Sequence, residues 1–382
     1  MRKYILMAAV AAAVAGVSGN AMAEIKVKAG GRIMVDGEFG RGINGSKGFE
    51  PSSSAQETDF DSQLDRARLN LSGTVSPDWG FKIEYDFASG SASAKDIYLA
   101  YKGFKPASVL IGNFKEPFGL EELTSSKYMT FMDRTIVNGQ FAPSRNVGAA
   151  LHTGGSNYSA TVGMFGKGTS KGQDPKYSVA GRVTFAPIAT KTTAVHLGAA
   201  VNYIDVHSSS LYTSSGAITT GDTNNKEPAG YHIGNPNFVD LDKSTIGGLE
   251  AAAVFGPASI QGEYMKAFND YLDPTHNSDP SGWYVQASFF PTGESRNYVA
   301  NKGAFGRIKT SGNAVELAAR YGVLKLDQAG QDDVKQTTLG ANWYATSHLR
   351  FMANYEMLDY GNNTGVPESD DNFFMARAQV DW

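Results

Sequence analysis

Several basic side chains in this 382-residue chain stand where they could grip an oxyanion. Arg66 and Arg68 lie two apart in the alternating run Leu64–Val75. Residues two apart on a strand project the same way, about 7 Å from one another. Lys115, Lys127 and Arg134 fall in FKEPFGLEELTSSKYMTFMDR (114–134), with Phe118, Tyr128 and Phe131 able to pack that stretch against something. Arg32 and Arg182 sit on further alternating runs. A guanidinium fork matches phosphate and carboxylate, and an ammonium serves as a point charge. Rings of such cations select for anions in pores. The plainer alternative is that each cation pairs with a neighbouring carboxylate and braces a wet wall. Arg320, Arg350 and Arg377, in the acidic half of the chain, read that way, so losing Arg66 or Lys127 is expected to lower anion preference and losing Arg377 to leave it almost unchanged.

Other chemistry finds little support. The six histidines (152, 196, 207, 232, 276, 348) never fall at a metal-ligand spacing. Gly168-Thr169-Ser170-Lys171-Gly172 matches G-x-S-x-G, but it lies in a loop between strands rather than on a strand-to-helix turn. The adjacent Glu121 and Glu122 read as solvated loop carboxylates. There is no cysteine for a thiolate or a disulfide, and no basic stripe interleaved with aromatics for nucleic acid. No enzyme, cofactor, metal or nucleic acid is expected.

The elements that must position the cations are strands. Residues 1–23 have a basic start, an apolar run and Ala21-Met22-Ala23, the pattern of a secretory signal peptide. From Glu24 to Trp382 the recurring signal is period-two alternation. It gives sixteen strands, near 24–36, 64–75, 81–87, 96–102, 107–114, 145–154, 157–165, 177–186, 192–205, 244–255, 258–267, 281–291, 313–326, 334–345, 348–360 and 372–382. Short connections alternate with longer polar ones, the longest near 206–243. With 43 glycines, 18 tyrosines and 21 phenylalanines, the composition suits an all-β, sixteen-stranded antiparallel transmembrane β-barrel. A soluble sheet also alternates. The aromatic strand ends and the final Phe374…Trp382 strand favour lipid on the apolar face.

In such a barrel the charged faces line the bore, because charge in lipid costs about 2–4 kcal/mol at the midplane. The thirty residues between strands at 114–145 are too long for a hairpin loop. They are expected to fold inward as the third long loop and narrow the bore. Formal charge is −4 overall, yet residues 101–200 hold eleven Lys/Arg against five Asp/Glu. Lys302, Arg307 and Lys309 fall in the 292–312 connection, at the periplasmic mouth of this topology, either to catch anions or to be solvated.

The strings GGRIMVDG (30–37), GFKIEYDF (80–87), YKGFKP (101–106), FKEPFGLEELTSSKYMTFMDR (114–134) and LGANWYA (339–345) resemble the phosphate-selective porin O/P family of bacterial outer-membrane channels. The resemblance implies a sixteen-stranded barrel, a homotrimer in outer-membrane lipid, an inward third loop and an arginine-lined pore for inorganic anions such as phosphate or polyphosphate. By position, Arg32, Arg66 and Lys127 match cationic pore residues of the family. Asp65 stands at the first of two adjacent family arginines, and Arg68 replaces a family tyrosine. Glu122 falls at a family lysine, Lys115 at a tyrosine, and Lys95 near an aspartate. Three functions follow: an anion-preferring diffusion channel, a general weakly selective porin, or a non-channel barrel such as an adhesin that works through its loops.

Overall fold

The computed structural model describes residues 25–41, 59–166, 168, 176–205, 218–219, 232–233, 241–273, 277–327, 333–359 and 370–382. The signal segment 1–23, most of the 206–243 loop and most of the Gly168–Gly172 string lie outside the described residues. Sixteen strands close into one antiparallel barrel in sequence order. They are β1 (Lys26–Arg41), β2 (Asp59–Thr74), β3 (Trp79–Asp86) and β4 (Ser93–Tyr101). Next come β5 (Ser108–Lys115), β6 (Arg145–Gly154), β7 (Tyr158–Phe165) and β8 (Tyr177–Ala189). β9 (Thr193–Asp205), β10 (Leu241–Phe255), β11 (Ala258–Tyr271) and β12 (Ser281–Phe289) follow. β13 (Ala314–Lys325), β14 (Val334–Tyr344), β15 (Leu349–Asp359) and β16 (Asp370–Asp381) complete the ring.

Closure is made by β1 against β16, from Arg32↔Asp381 to Arg41↔Asn372. It leaves no sheet edge, so every strand finds its hydrogen bonds within the wall, as an apolar solvent demands. The alternation sorts the side chains as expected. Ile33, Val35, Leu69, Leu99, Ile111, Val162 and Val183 stand exposed on the outer face. Arg32, Arg68, Glu84, Arg320 and Arg377 are buried inside. One irregularity matters. The β1–β2 register shifts between Met34↔Arg66 and Val35↔Leu64, which leaves Asp65 as the extra residue of a bulge. Asp65 and Arg66 are therefore both buried although adjacent in sequence.

The core of the molecule lies inside the barrel rather than in its wall. Residues 116–144, between β5 and β6, carry α1 (Leu120–Leu123), a short turn at Ser126–Tyr128 and α2 (Ile136–Phe141). Phe118, Met132, Ile136, Val137 and Phe141 from this loop join Met265, Leu324, Met352, Leu358 and Phe373 from the wall in one buried apolar cluster. Two wall glycines admit the loop's rings. A Cβ at Gly340 would lie 2.9 Å from Phe131, and one at Gly248 would lie 3.0 Å from Phe118.

A second insertion comes from the opposite rim, where the other connections are short. Residues 290–313 form a small hairpin, Asn297–Val299 against Ala304–Gly306. Tyr298 and Phe305 of that hairpin cluster with Leu120 of the loop and Ala186, Ala252 and Val254 of the wall. Its two aromatic side chains reach into the bore from the mouth, where the topology places this connection.

Candidate functional site

The inward loop is fastened to the far wall, β13–β16, largely through its own backbone. The Met129 carbonyl accepts from Arg350 at 2.7 Å, that of Met132 from Arg377 at 2.7 Å, and that of Asp133 from Arg320 at 2.8 Å. Asn342 donates to the Thr130 carbonyl at 2.8 Å and Gln379 to that of Lys127 at 3.2 Å. An irregular loop has many carbonyls with no helical or sheet partner, and buried ones must be satisfied. Long wall side chains with several donors do this here. The guanidinium of Arg320 also lies 4.6 Å from the Phe131 ring centre.

Carboxylates secure the remaining backbone ends. Glu263 on β11 accepts from the Leu120 and Glu121 amides at 2.8 and 2.7 Å, at the N-terminus of α1, where free N–H groups favour negative charge. Tyr284 donates to the same carboxylate at 2.6 Å. Glu121 accepts from the Thr135 amide and hydroxyl at 3.0 and 2.9 Å, just ahead of α2. Glu122 receives Lys115 at 2.5 Å and Arg134 at 3.0 Å. The expectation of solvated carboxylates fails for both glutamates. They are buried and hold the loop together.

With the loop seated on the far wall, its other face looks across to β1–β6. On that wall an alternating series of charges runs from strand to strand. Arg145 contacts Asp96 at 2.6 Å, and Asp96 meets Lys82 at 2.5 Å. Lys82 lies 3.5 Å from Glu84, which meets Arg32 at 3.2 Å and Arg68 at 3.9 Å. Arg68 is bound in turn to Asp86 at 2.7 Å. Arg32 also donates to Ser126 of the loop at 2.6 Å. Lys82 is the most exposed of these cations, its side chain 25% accessible, and Arg66 is fully buried beside Asp65 at 3.2 Å.

The seven cations singled out from sequence thus fall into separate groups. Arg32, Arg66 and Arg68 share the β1–β2 inner wall. Lys115 and Arg134 meet on Glu122. Lys127 lies 3.7 Å from Asp381 near the rim of short connections. Arg182 on β8 is engaged by Glu250 at 2.7 Å and donates to the Gly303 carbonyl of the 290–313 insertion at 2.6 Å. His196 and Tyr298, 2.6 Å apart, tie the same insertion to the wall. Lys82, Asp96 and Arg145 were not among the seven. Lys82 and Asp96 were legible as inward positions of alternating strands, but Arg145 joins them only because β6 restarts beside β5. Arg377 braces the wall through carboxylates, as the sequence suggests, binding Asp36 at 2.6 Å and Asp65 at 2.7 Å, and it also pins Met132 of the loop.

One loop carboxyl is set apart by its surroundings. Burial pushes Asp133 up to about 7 against the pull of Arg377, and the nearby Asp65 and Asp36 carboxylates add to the rise. Among the described residues no group of three or more His, Cys, Asp and Glu side chains is arranged to hold a metal ion.

The family described as "Phosphate-selective porin O and P" matches residues 35–382 of the chain. Porin O of Pseudomonas aeruginosa is 27% identical over 368 residues, covering 82% of this chain and 80% of its own length. An uncharacterized protein of Caulobacter vibrioides is 25% identical over 387 residues, covering 93% and 74%. Among solved structures, the anion-selective porin from Comamonas acidovorans superposes with a TM-score of 0.60 at 13% identity, over 94% of this chain and 100% of its own. The trimer form of OmpT from Vibrio cholerae superposes at 0.55 and 13% identity, over 94% and 99%.

Proposed function

Since the chain belongs to the phosphate-selective porin O and P family, and so is a channel of the bacterial outer membrane, we propose that it passes small anions, phosphate among them. The path is the gap between the inward loop, which constricts the bore, and the β1–β6 wall. Lys82, Arg145 and Arg32 are the side chains that meet the solute, with Arg68 bound to Asp86 behind them. Arg66 supports Arg68 from behind, and Lys115 and Arg134 hold Glu122 in the loop. Arg182 is a strut for the 290–313 insertion. Lys127 acts near the opposite mouth. Residues 1–23 are the export signal, and the working unit is a homotrimer.

The observation that carries this reading is the wall series from Arg145 to Arg68, in which each cation is bound to a carboxylate on the inner face of the barrel. A guanidinium carries five N–H donors and an ammonium three. An oxyanion therefore exchanges water for hydrogen bonds at several weak stations in succession, which permits entry without trapping. A second reading rests on the same pairs. Three carboxylates (Asp96, Glu84 and Asp86) are bonded to these four cations, so most of the wall's charge is cancelled and the channel only weakly selective.

A bilayer recording separates the two. Under a potassium chloride gradient the reversal potential of an anion channel shifts toward the chloride equilibrium value, and phosphate lowers the chloride current. A reversal potential near zero, with current indifferent to phosphate, would replace the first reading by the second.

A further inference from the structure

Two segments that enter the bore from opposite rims converge on one carboxylate. Lys127 comes from the inward loop and Arg307 from the 290–313 insertion. Asp381 is the inward-facing residue at the end of β16. Arg307 spans both oxygens of Asp381, with Nη1 3.3 Å from Oδ1 and Nη2 bonded to Oδ2. Lys127 Nζ lies 3.7 Å from Oδ2. Both cations lie over the Tyr128 ring, at 5.4 and 5.5 Å from its centre. The carboxylate is sunk, only 4% accessible, while the Arg307 and Lys127 side chains are 30% and 17% accessible. A small cavity beside them is bounded by Tyr344, His348 and Arg350.

We propose that Asp381 is a tethered competitor for the channel's own solutes. Its carboxylate occupies the Lys127–Arg307 site, and a passing oxyanion exchanges with it. This rests on the reading of the protein as an anion channel and adds a residue that sets how tightly the mouth holds its cargo.

The exchange belongs at this pair rather than elsewhere because of exposure. An anion from solution has no access to Arg377, whose side chain is 1% accessible between Asp36 and Asp65. Lys127 and Arg307 reach water, where ion pairs are screened and weak. The bidentate hold of Arg307 on Asp381 is also the geometry a guanidinium offers a carboxylate or phosphate from solution. A tethered ligand competes as if present at a fixed local concentration set by its geometry. Anions well below that leave Asp381 in place, and anions above it displace the carboxylate. The site thus stays loose enough to release what it binds.

The test measures block of single-channel chloride current by inorganic phosphate. Asp381→Asn lowers the half-blocking phosphate concentration several-fold, because the two cations lose their internal partner. Adding Lys127→Gln to that variant returns the concentration to the parent's, and Asp381→Glu, which keeps the carboxylate, stays near the parent. Asp381→Ser serves as a second neutral variant, and assembly of each is read from heat-modifiable migration on gels. Equal block in the parent and both neutral variants, with the parent still anion-selective, overturns the proposal alone. A parent without anion preference overturns the reading beneath it, and the reversal potential reports that separately.

Discussion

Arg377, on the last strand, donates to the carbonyl of Met132 at 2.7 Å, across 245 residues of sequence. The same guanidinium receives Asp36 and Asp65, so one side chain ties the first, second and last strands to the loop inside them. Replacing it by alanine leaves the buried Asp36 unpaired and Asp65 with Arg66 alone, a loss of about 3–5 kcal/mol for a broken buried pair. Arg377→Ala is expected to lower the thermal unfolding temperature and to give larger, noisier single-channel currents as the loop lifts. Unchanged conductance would show that the other carbonyl contacts suffice.

The wall series predicts graded effects on ion preference. Lys82→Ala and Arg32→Ala remove cations that reach the gap, and each should move the reversal potential toward zero. Arg66→Ala, at a fully buried position, should act mainly on stability. If Arg66→Ala shifts selectivity as much as Lys82→Ala does, the gap has been placed on the wrong side of the β2 bulge.

Glu263→Ala removes the acceptor for two amides at the start of α1. Loss of a helix cap costs about 0.5–2 kcal/mol, and here two buried donors are orphaned together. The expected result is faster proteolysis of the 116–144 loop in a barrel that still migrates as folded. Glu263→Gln retains one acceptor and should fall between.

Asp133 supplies a pH dependence. Its carboxyl, pushed up to about 7, is neutral below that pH and charged above it. Raising the pH through 7 therefore adds negative charge to the loop, and anion preference should fall. A usual aspartate, charged across this whole range, would give no such dependence. Asp133→Asn should flatten the profile between pH 6 and pH 8, measured by reversal potential.

Gly340 tests how tightly the loop is fitted. A methyl group there would meet Phe131 at 2.9 Å, and the ring is held from the other side by Arg320. Gly340→Ala should cost about 1–3 kcal/mol of stability, as overpacking does. The check is thermal unfolding, with Gly247→Ala, where nothing lies near, as the control.

The sixteen strands were legible because one face of each meets an apolar surrounding and the other meets charge, which writes period two into Leu69, Leu71 and Arg68, Asn70 alike. The inward loop was legible from its length and its aromatic residues. Its attachments were not. Arg320, Arg350 and Arg377 read as members of a wet wall, and nothing local in their strands reveals that three loop carbonyls lie opposite. The bulge at Asp65 was also hidden, since it turns two adjacent residues inward where alternation sends one out. The insertion at 290–313 reads as a polar connection because its anchors are single residues, Tyr298 and Phe305, with partners in distant strands.

The loop's fastenings lie mostly on strands made after it, and two of them, Arg377 and Gln379, sit on the final one. A ring still open between its first and last strands therefore holds the loop through the earlier strands alone, without the Arg377 link to β1 and β2. Closure completes the seating of the passage, and a chain stalled before it is expected to discriminate less than the finished protein.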